Sequence, residues 1–141
     1  MPPIVYRRAA LSGNPKDHRF VWSPSESWTS VRIGEWELTR QEWVDTHEHD
    51  EFNYVLEGTL MVTCDGETVE VPAGNVVHTP PGSTGRYWAP VYARMLVVYG
   101  PNPTGAQTIR GGVRSLDDEA AGAEDAGGHD TAGAGSVNGP R

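Results

Sequence analysis

Cysteine is almost absent from this 141-residue chain. Cys64 stands alone, so no intrachain disulfide can form and no Cys-rich zinc site can be built. Basic residues are also scarce, at 11 Lys and Arg against 19 Asp and Glu, for a formal net charge of -8. No basic stripe points to a nucleic acid partner. No apolar run is long enough for a membrane-spanning helix, and the start "MPPIVYRRAALSGNPK" has no signal-peptide core. A soluble, cytoplasmic protein with no membrane or nucleic acid partner is the expectation. No Walker-type phosphate loop and no helix-turn-helix segment is present, which argues against a phosphate-loop enzyme and a DNA-binding regulator.

What is present falls into three parts of one domain, by the usual length of domains. Residues 1–30 are turn-rich, as in "LSGNPKDHRF" and "WSPSESW", and are expected to form an irregular arm. Trp22, Trp28, Trp36 and Trp43 in or near it are read as buried anchors. Residues 111–141 hold few large apolar side chains and no periodicity. Asp117, Asp118, Glu119, Glu124, Asp125 and Asp130 add charge there. Such a segment buries too little surface to offset its ordering entropy, so a disordered tail is expected from residue 111.

Between them, residues 31–110 carry strand patterns. "SVRIGEWELTRQEWV" has Val31, Ile33, Trp36 and Leu38 as its apolar set, which requires an irregularity, read as a bulge at Gly34. Asp65-Gly66 between "TLMVTC" and "ETVEV" is a hairpin signal. "NVVHTPPGS" and "YARMLVVYGPNP" are two further strands closed by Pro and Gly. Short strands at turn-marked intervals, with no convincing helix, indicate an all-β sandwich or small barrel.

"THEHDEFNYVLEG", residues 46–58, carries the most chemistry. If it is one extended strand with the residue before it, Asp45, His47, His49, Glu51 and Asn53 share a face, and Phe52, Tyr54 and Leu56 take the other. Two imidazoles and a carboxylate, from His47, His49 and Glu51, suit a catalytic divalent metal; Zn, Fe, Mn and Ni all accept these donors. The alternative is the solvated face of an ordinary antiparallel strand. Cys64 is read as a small buried residue.

The ordered set "H-x-H … E-x-x-Y-V-L-E-G … DGE … P-x-G … P-P-G" resembles the cupins, whose fold is a double-stranded β-helix, the jelly-roll barrel. "DEFNYVLEGTL", "PPGS" and "YARMLVVYGP" are most similar to the ethanolamine-utilisation protein Q group. Against the first cupin motif, His47, Glu51 and Gly58 match, Asp45 stands at the other usual histidine, and His49 is additional. In the second motif Pro80 and Gly82 match, while Gly85 stands at the histidine. The resemblance implies that the polar face lines a lumen where a small molecule binds. It makes His49 or Glu51 a candidate general base, with Asp45, Asn53, His78 and Arg86 as substrate-binding candidates. His78 would supplement the altered ligand set, and Arg86 would clamp an anion. A metal-dependent isomerase, cyclase, lyase or dioxygenase is the first functional expectation. A metal-free ligand-binding or accessory protein of amine or aldehyde metabolism is the second. Phe52, Tyr54 and Leu56 on the opposite face suggest a homodimer.

Overall fold

A computed structural model describes residues 1–3, 5 and 28–118, together with the backbone of 19–22. Seven antiparallel strands account for most of it: β1 (Arg19–Trp22), β2 (Arg32–His47), β3 (Glu51–Cys64), β4 (Glu67–Pro72), β5 (Val76–Thr79), β6 (Ser83–Tyr99) and β7 (Ile109–Ser115). The sheet runs β1-β2-β6-β3-β4, with β5 added to β3 and β7 to β2. The all-β barrel expected from the pattern is the fold found.

The 17-residue strand β6 is the spine. β2 pairs along one edge, from Arg32↔Tyr99 to His47↔Ser83, and β3 along the other, from Glu51↔Tyr99 to Cys64↔Gly85. Asp65 and Gly66 connect β3 to β4 with positive φ of 50° and 81°. That is the tight hairpin that Asp-Gly favours, because glycine meets no steric cost there.

One bulge in β2 decides which residues reach the lumen. Up to it, Gly34, Trp36 and Leu38 are the buried set. Register with β6 then breaks between Thr39 and Gln41, where Arg40 sits at φ 49°. An extra residue shifts the inward parity of a strand. Beyond Arg40 the buried inward set becomes Trp43, Asp45 and His47. The bulge expected at Gly34 is therefore at Arg40. Gly34 pairs with Val97 in unbroken register, and Ile33, placed with the apolar face, is only half-buried on the outer side.

The core is formed by Trp28, Trp36, Leu38, Trp43, Val55, Leu60, Val62, Val71, Tyr87, Ala89, Ala93, Met95, Val97 and Tyr99. Trp28, Trp36 and Trp43 are buried as expected, while the side chain of Trp22 lies outside the described residues. Cys64 is half-buried, at the end of β3.

Two expected boundaries shift. Residues 19–22, inside the supposed irregular arm, form β1 on β2. Residues 109–115 form β7 on β2, from Thr46↔Ile109 to Gln41↔Ser115, so the ordered chain passes residue 110. β7 is invisible in composition because its stability comes from tertiary pairing rather than its own apolar content. Its Arg114 pairs with Glu42, which is buried between Arg114 and Arg86. Burial works against that carboxylate's charge, but the two guanidinium groups outweigh it and hold its pKa below the ordinary value. The expected tail beyond residue 118 lies outside the described residues.

Candidate metal centre

Asp45 and His47 end β2, Glu51 and Asn53 begin β3, and residues 48–50 bend between them. The polar face expected from a single strand is thus assembled from two strands across a turn. All four residues are buried, none more than 4% exposed. The solvated-face reading does not describe them.

Three ligand atoms converge, one each from Asp45, His47 and Glu51, all within 4.8 Å of one another. Asp45 thus stands in the set where the sequence placed His49. Asp45 Oδ1, His47 Nε2 and Glu51 Oε2 are buried and have no hydrogen-bond partner among the described residues. His47 Nε2 lies 3.1 Å from Glu51 Oε2, short enough for an ion pair but not aligned as a hydrogen bond. Leaving buried acceptors unmatched costs about 1–3 kcal/mol each, and a bound cation would match all three. An imidazole and two carboxylates form a donor set suited to a divalent ion, and the residues fit such an ion.

The remaining atoms of each side chain are held. Trp43 Nε1 donates to Asp45 Oδ2 at 2.8 Å. Asn53 Nδ2 donates to Glu51 Oε1 at 2.8 Å, while Asn53 Oδ1 accepts from Trp36 Nε1 at 2.8 Å. His47 Nδ1 is 2.6 Å from the carbonyl of His49, which makes Nδ1 the protonated nitrogen and leaves the Nε2 lone pair facing the carboxylates. Such outer hydrogen bonds fix the orientation of metal ligands. Asn53 has both ends of its amide engaged, so it orients Glu51 rather than presenting itself to a substrate.

Electrostatics follow the crowding. Burial, and then the charge of Glu51, push Asp45 up to about 6 against the pull of the Trp43 hydrogen bond. Burial opposes charge on His47, but Glu51, the His49 carbonyl and Asp45 outweigh it and raise its pKa. His49 goes the other way, lowered chiefly by burial.

His49 lies in the bend, stacked on His47 with ring centroids 4.5 Å apart. Its Nδ1 is 3.0 Å from the Asp50 carbonyl, and its Nε2 is 3.2 Å from Thr108 Oγ1. Trp28 and Tyr99 pack against the same ring. It lines the lumen without joining the converging set.

Two substrate-binding candidates lie elsewhere. His78 points outward, stacked on Phe52 at 4.3 Å and bonded to Asp50 Oδ1 at 2.7 Å. The inward residue beside it on β5 is Thr79, 1% exposed. Arg86 is likewise outward, on Glu42 and over Trp88. Alternation places Gly85 and Tyr87 inward instead.

Tyr87 is what the sequence reading underrated. A Cβ at Gly85 would come within 2.7–2.8 Å of Tyr87 Cε2, Cζ and the hydroxyl oxygen. The Tyr87 ring thus fills the space over the position where the second cupin motif has histidine. Its hydroxyl donates to Thr79 Oγ1 at 2.9 Å. Burial, with Glu51 and Asp45 adding to it, raises its pKa far beyond the ordinary value, so the phenol is neutral. The clue in the sequence was the pair Gly85 and Tyr87, two residues apart on an inward face.

A family model described as "Cupin domain" matches residues 35–99. The solved structure of the Clostridium difficile EutQ protein is 30% identical, with 66% of this chain and 75% of that chain covered and a TM-score of 0.54. This chain belongs to the cupin family. Among curated relatives, acetate kinase EutQ of Clostridioides difficile (strain 630) is 33% identical over 94 residues, which cover 64% of this chain and 59% of the relative. Acetate kinase EutQ of Salmonella typhimurium (strain LT2) is 41% identical over 56 residues, 40% of this chain and 24% of that one. The chain thus spans less than two thirds of the length of each of these curated relatives. No helix among its described residues is long and apolar enough to cross a membrane.

Proposed function

We propose that this cupin is a divalent-metal-dependent enzyme that transforms a small, oxygen-bearing molecule in its barrel lumen. The observation that carries the reading is the convergence of three buried, unmatched acceptors on Asp45, His47 and Glu51. These residues would hold the ion, which when bound supplies Lewis-acid polarisation of a substrate oxygen, suited to isomerase, cyclase, lyase or dioxygenase chemistry. Trp43 and Asn53 hold the two carboxylates in place. His49 is the general base: its lowered pKa keeps the ring neutral near pH 7, and the Asp50 carbonyl engages Nδ1, leaving Nε2 as the basic nitrogen. Trp28 and Tyr99, packed on His49, shield it from bulk water.

The outer sheet face supports a homodimer. Phe52, Tyr54 and Val76 are 36%, 40% and 56% exposed. Polar groups nearby already have partners, His78 hydrogen-bonded to Asp50 and Arg94 paired with Glu35 and Glu57. Two copies can meet there without the like-charge repulsion that a net charge of -8 would otherwise impose.

A second reading draws on the 3.1 Å contact between His47 and Glu51. With His47 protonated, the pair is satisfied without an ion, and the protein is a metal-free binding or accessory cupin of amine or aldehyde metabolism. The two differ in response to metal. A ligand present at 100 times its Kd stabilises a fold by about 2.7 kcal/mol. Titration of the metal-stripped protein with Mn2+ or Zn2+ is expected to raise Tm, and His47→Ala is expected to abolish the rise. A wild-type Tm indifferent to both metals would favour the second reading.

A further inference from the structure

β5 delivers Thr79 to the lumen, one residue past the outward His78, and buries it to 1% exposure. Its register partner on β3 is Glu51. Residues directly opposed on antiparallel strands bring their Cβ atoms within about 5 Å. From β6, the Tyr87 hydroxyl reaches Thr79 Oγ1 at 2.9 Å. The Tyr87 ring lies over Gly85, and Gly85 is the register partner of Asp45. The two hydroxyls thus stand beside both carboxylates of the candidate metal centre. We propose that Thr79 is the hydrogen-bond donor to a carbonyl or other acceptor oxygen of the molecule bound in the lumen, with Tyr87 as its positioning residue. The proposal rests on the reading above that the lumen holds a small, oxygen-bearing molecule.

Protons decide the roles. A hydroxyl has one proton to give and lone pairs with which to accept. Tyr87 gives its proton to Thr79. Burial, with the charges of Glu51 and Asp45, keeps the phenol neutral and therefore donating. Thr79 is the acceptor of that bond, so its own proton must go elsewhere, and no acceptor takes it among the described residues. Asp45 Oδ1, His47 Nε2 and Glu51 Oε2 do not, since each is itself without a partner. The other two carboxylate oxygens accept from Trp43 and Asn53. Burying a donor without an acceptor is unfavourable, as it is for an acceptor without a donor. A polar pair kept only for packing would end in an acceptor, whereas this one ends in an unused proton. The lumen therefore holds three unmatched acceptors and, beside them, one unmatched donor. A cation satisfies the first set only. An oxygen of a small ligand accepts from Thr79 and satisfies the second. Threonine is stiff at χ1 and Tyr87 fixes its oxygen, so the donor is oriented before the ligand arrives.

The test uses the full chain loaded with Co2+, whose visible spectrum reports ligand binding, with acetohydroxamate and imidazole as probes. Acetohydroxamate presents acceptor oxygens, while imidazole meets a metal through nitrogen and leaves a hydroxyl nothing to donate to. Thr79→Val keeps the shape and removes the proton. It is expected to weaken acetohydroxamate roughly tenfold or more and to leave imidazole affinity and cobalt content unchanged. Thr79→Ser is expected to restore wild-type affinity. Tyr87→Phe keeps the ring and is expected to weaken acetohydroxamate by less, again without affecting imidazole; it carries the test should Thr79→Val fail to fold. Acetohydroxamate bound equally by the wild type and Thr79→Val, or both probes weakened alike, would overturn the proposal and leave the metal reading standing. A chain that takes up no cobalt removes the metal reading instead, and saturation-transfer NMR then presents acetohydroxamate to the metal-free protein. A signal lost in Thr79→Val and kept in Thr79→Ser sustains the proposal; no signal, or one unchanged by Thr79→Val, overturns it.

Discussion

Replacing Gly85 with alanine tests the packing that sets this lumen apart from one with histidine at that position. The new Cβ would sit 2.7–2.8 Å from three atoms of Tyr87, where ordinary contact is 3.4–4 Å. Tyr87 is fully buried and its hydroxyl is bonded to Thr79, so the ring cannot yield freely. Overpacking of this kind costs about 1–3 kcal/mol. Losing glycine's freedom in the unfolded chain gives back about 0.4–1 kcal/mol. The collision wins, for a net loss of about 1–2 kcal/mol. In a domain of this size that lowers Tm by roughly 5–15 °C. Thermal unfolding by circular dichroism reads the change. The decisive control is the Tyr87→Leu background, where the ring is gone and Gly85→Ala is expected to cost nothing. A neutral Gly85→Ala in the wild type, or an equal cost in both backgrounds, would refute the claim that Tyr87 occupies the histidine position.

Asp45, pushed up to about 6, must lose its proton to bind metal. His47, raised above its ordinary value, must lose its proton as well, so metal affinity is expected to fall as pH drops, most steeply below about 6 where both groups protonate, in a fluorescence or calorimetric titration. In the metal-free protein the sign is opposite. A carboxyl raised in the folded state contributes stability that is present at low pH and lost as pH rises through about 6. Asp45→Asn is then expected to stabilise the metal-free protein at pH 7.5 by up to about 3 kcal/mol and to do little at pH 4, measured by urea unfolding. Truncation after residue 108 removes β7 and the Arg114–Glu42 pair and is expected to lower Tm by several degrees. Truncation after residue 118 is expected to leave it nearly unchanged. Light scattering is expected to return a dimer at micromolar concentration, and a monomer for Phe52→Glu; a wild-type monomer would count against the outer face as the interface.

The barrel was legible because its strands are punctuated by strong turn residues, Asp65-Gly66 and Pro80-Pro81-Gly82 among them. The chemistry of Asp45, His47, Glu51 and Asn53 was legible too, since their spacing survives the bend after His47. The bulge was not. Alternation locates a parity change only to within a few residues, and Gly34 is a more conspicuous candidate than Arg40, although a positive φ at Arg40 is what shifts the set. His49 was misassigned for a related reason: alternation assumes an extended backbone, and residues 48–50 bend. His78 and Arg86 fell on the wrong side of their strands because a short strand such as "VVHT" gives no phase of its own. Thr79 and Tyr87 could not have been paired from sequence at all. Only the pairing of both β5 and β6 with β3 brings their hydroxyls together.

A metal centre formed by Asp45, His47 and Glu51 is the proposal on which the chemistry of the lumen depends. Its most direct test is elemental analysis of protein purified without a histidine tag, set beside three variants. About one divalent ion per chain is expected in the wild type and in His49→Ala, and near none in Asp45→Asn and His47→Ala. An unloaded wild type that also fails to take up added Mn2+, Fe2+, Zn2+ or Ni2+ would contradict it, as would metal that persists in both Asp45→Asn and His47→Ala.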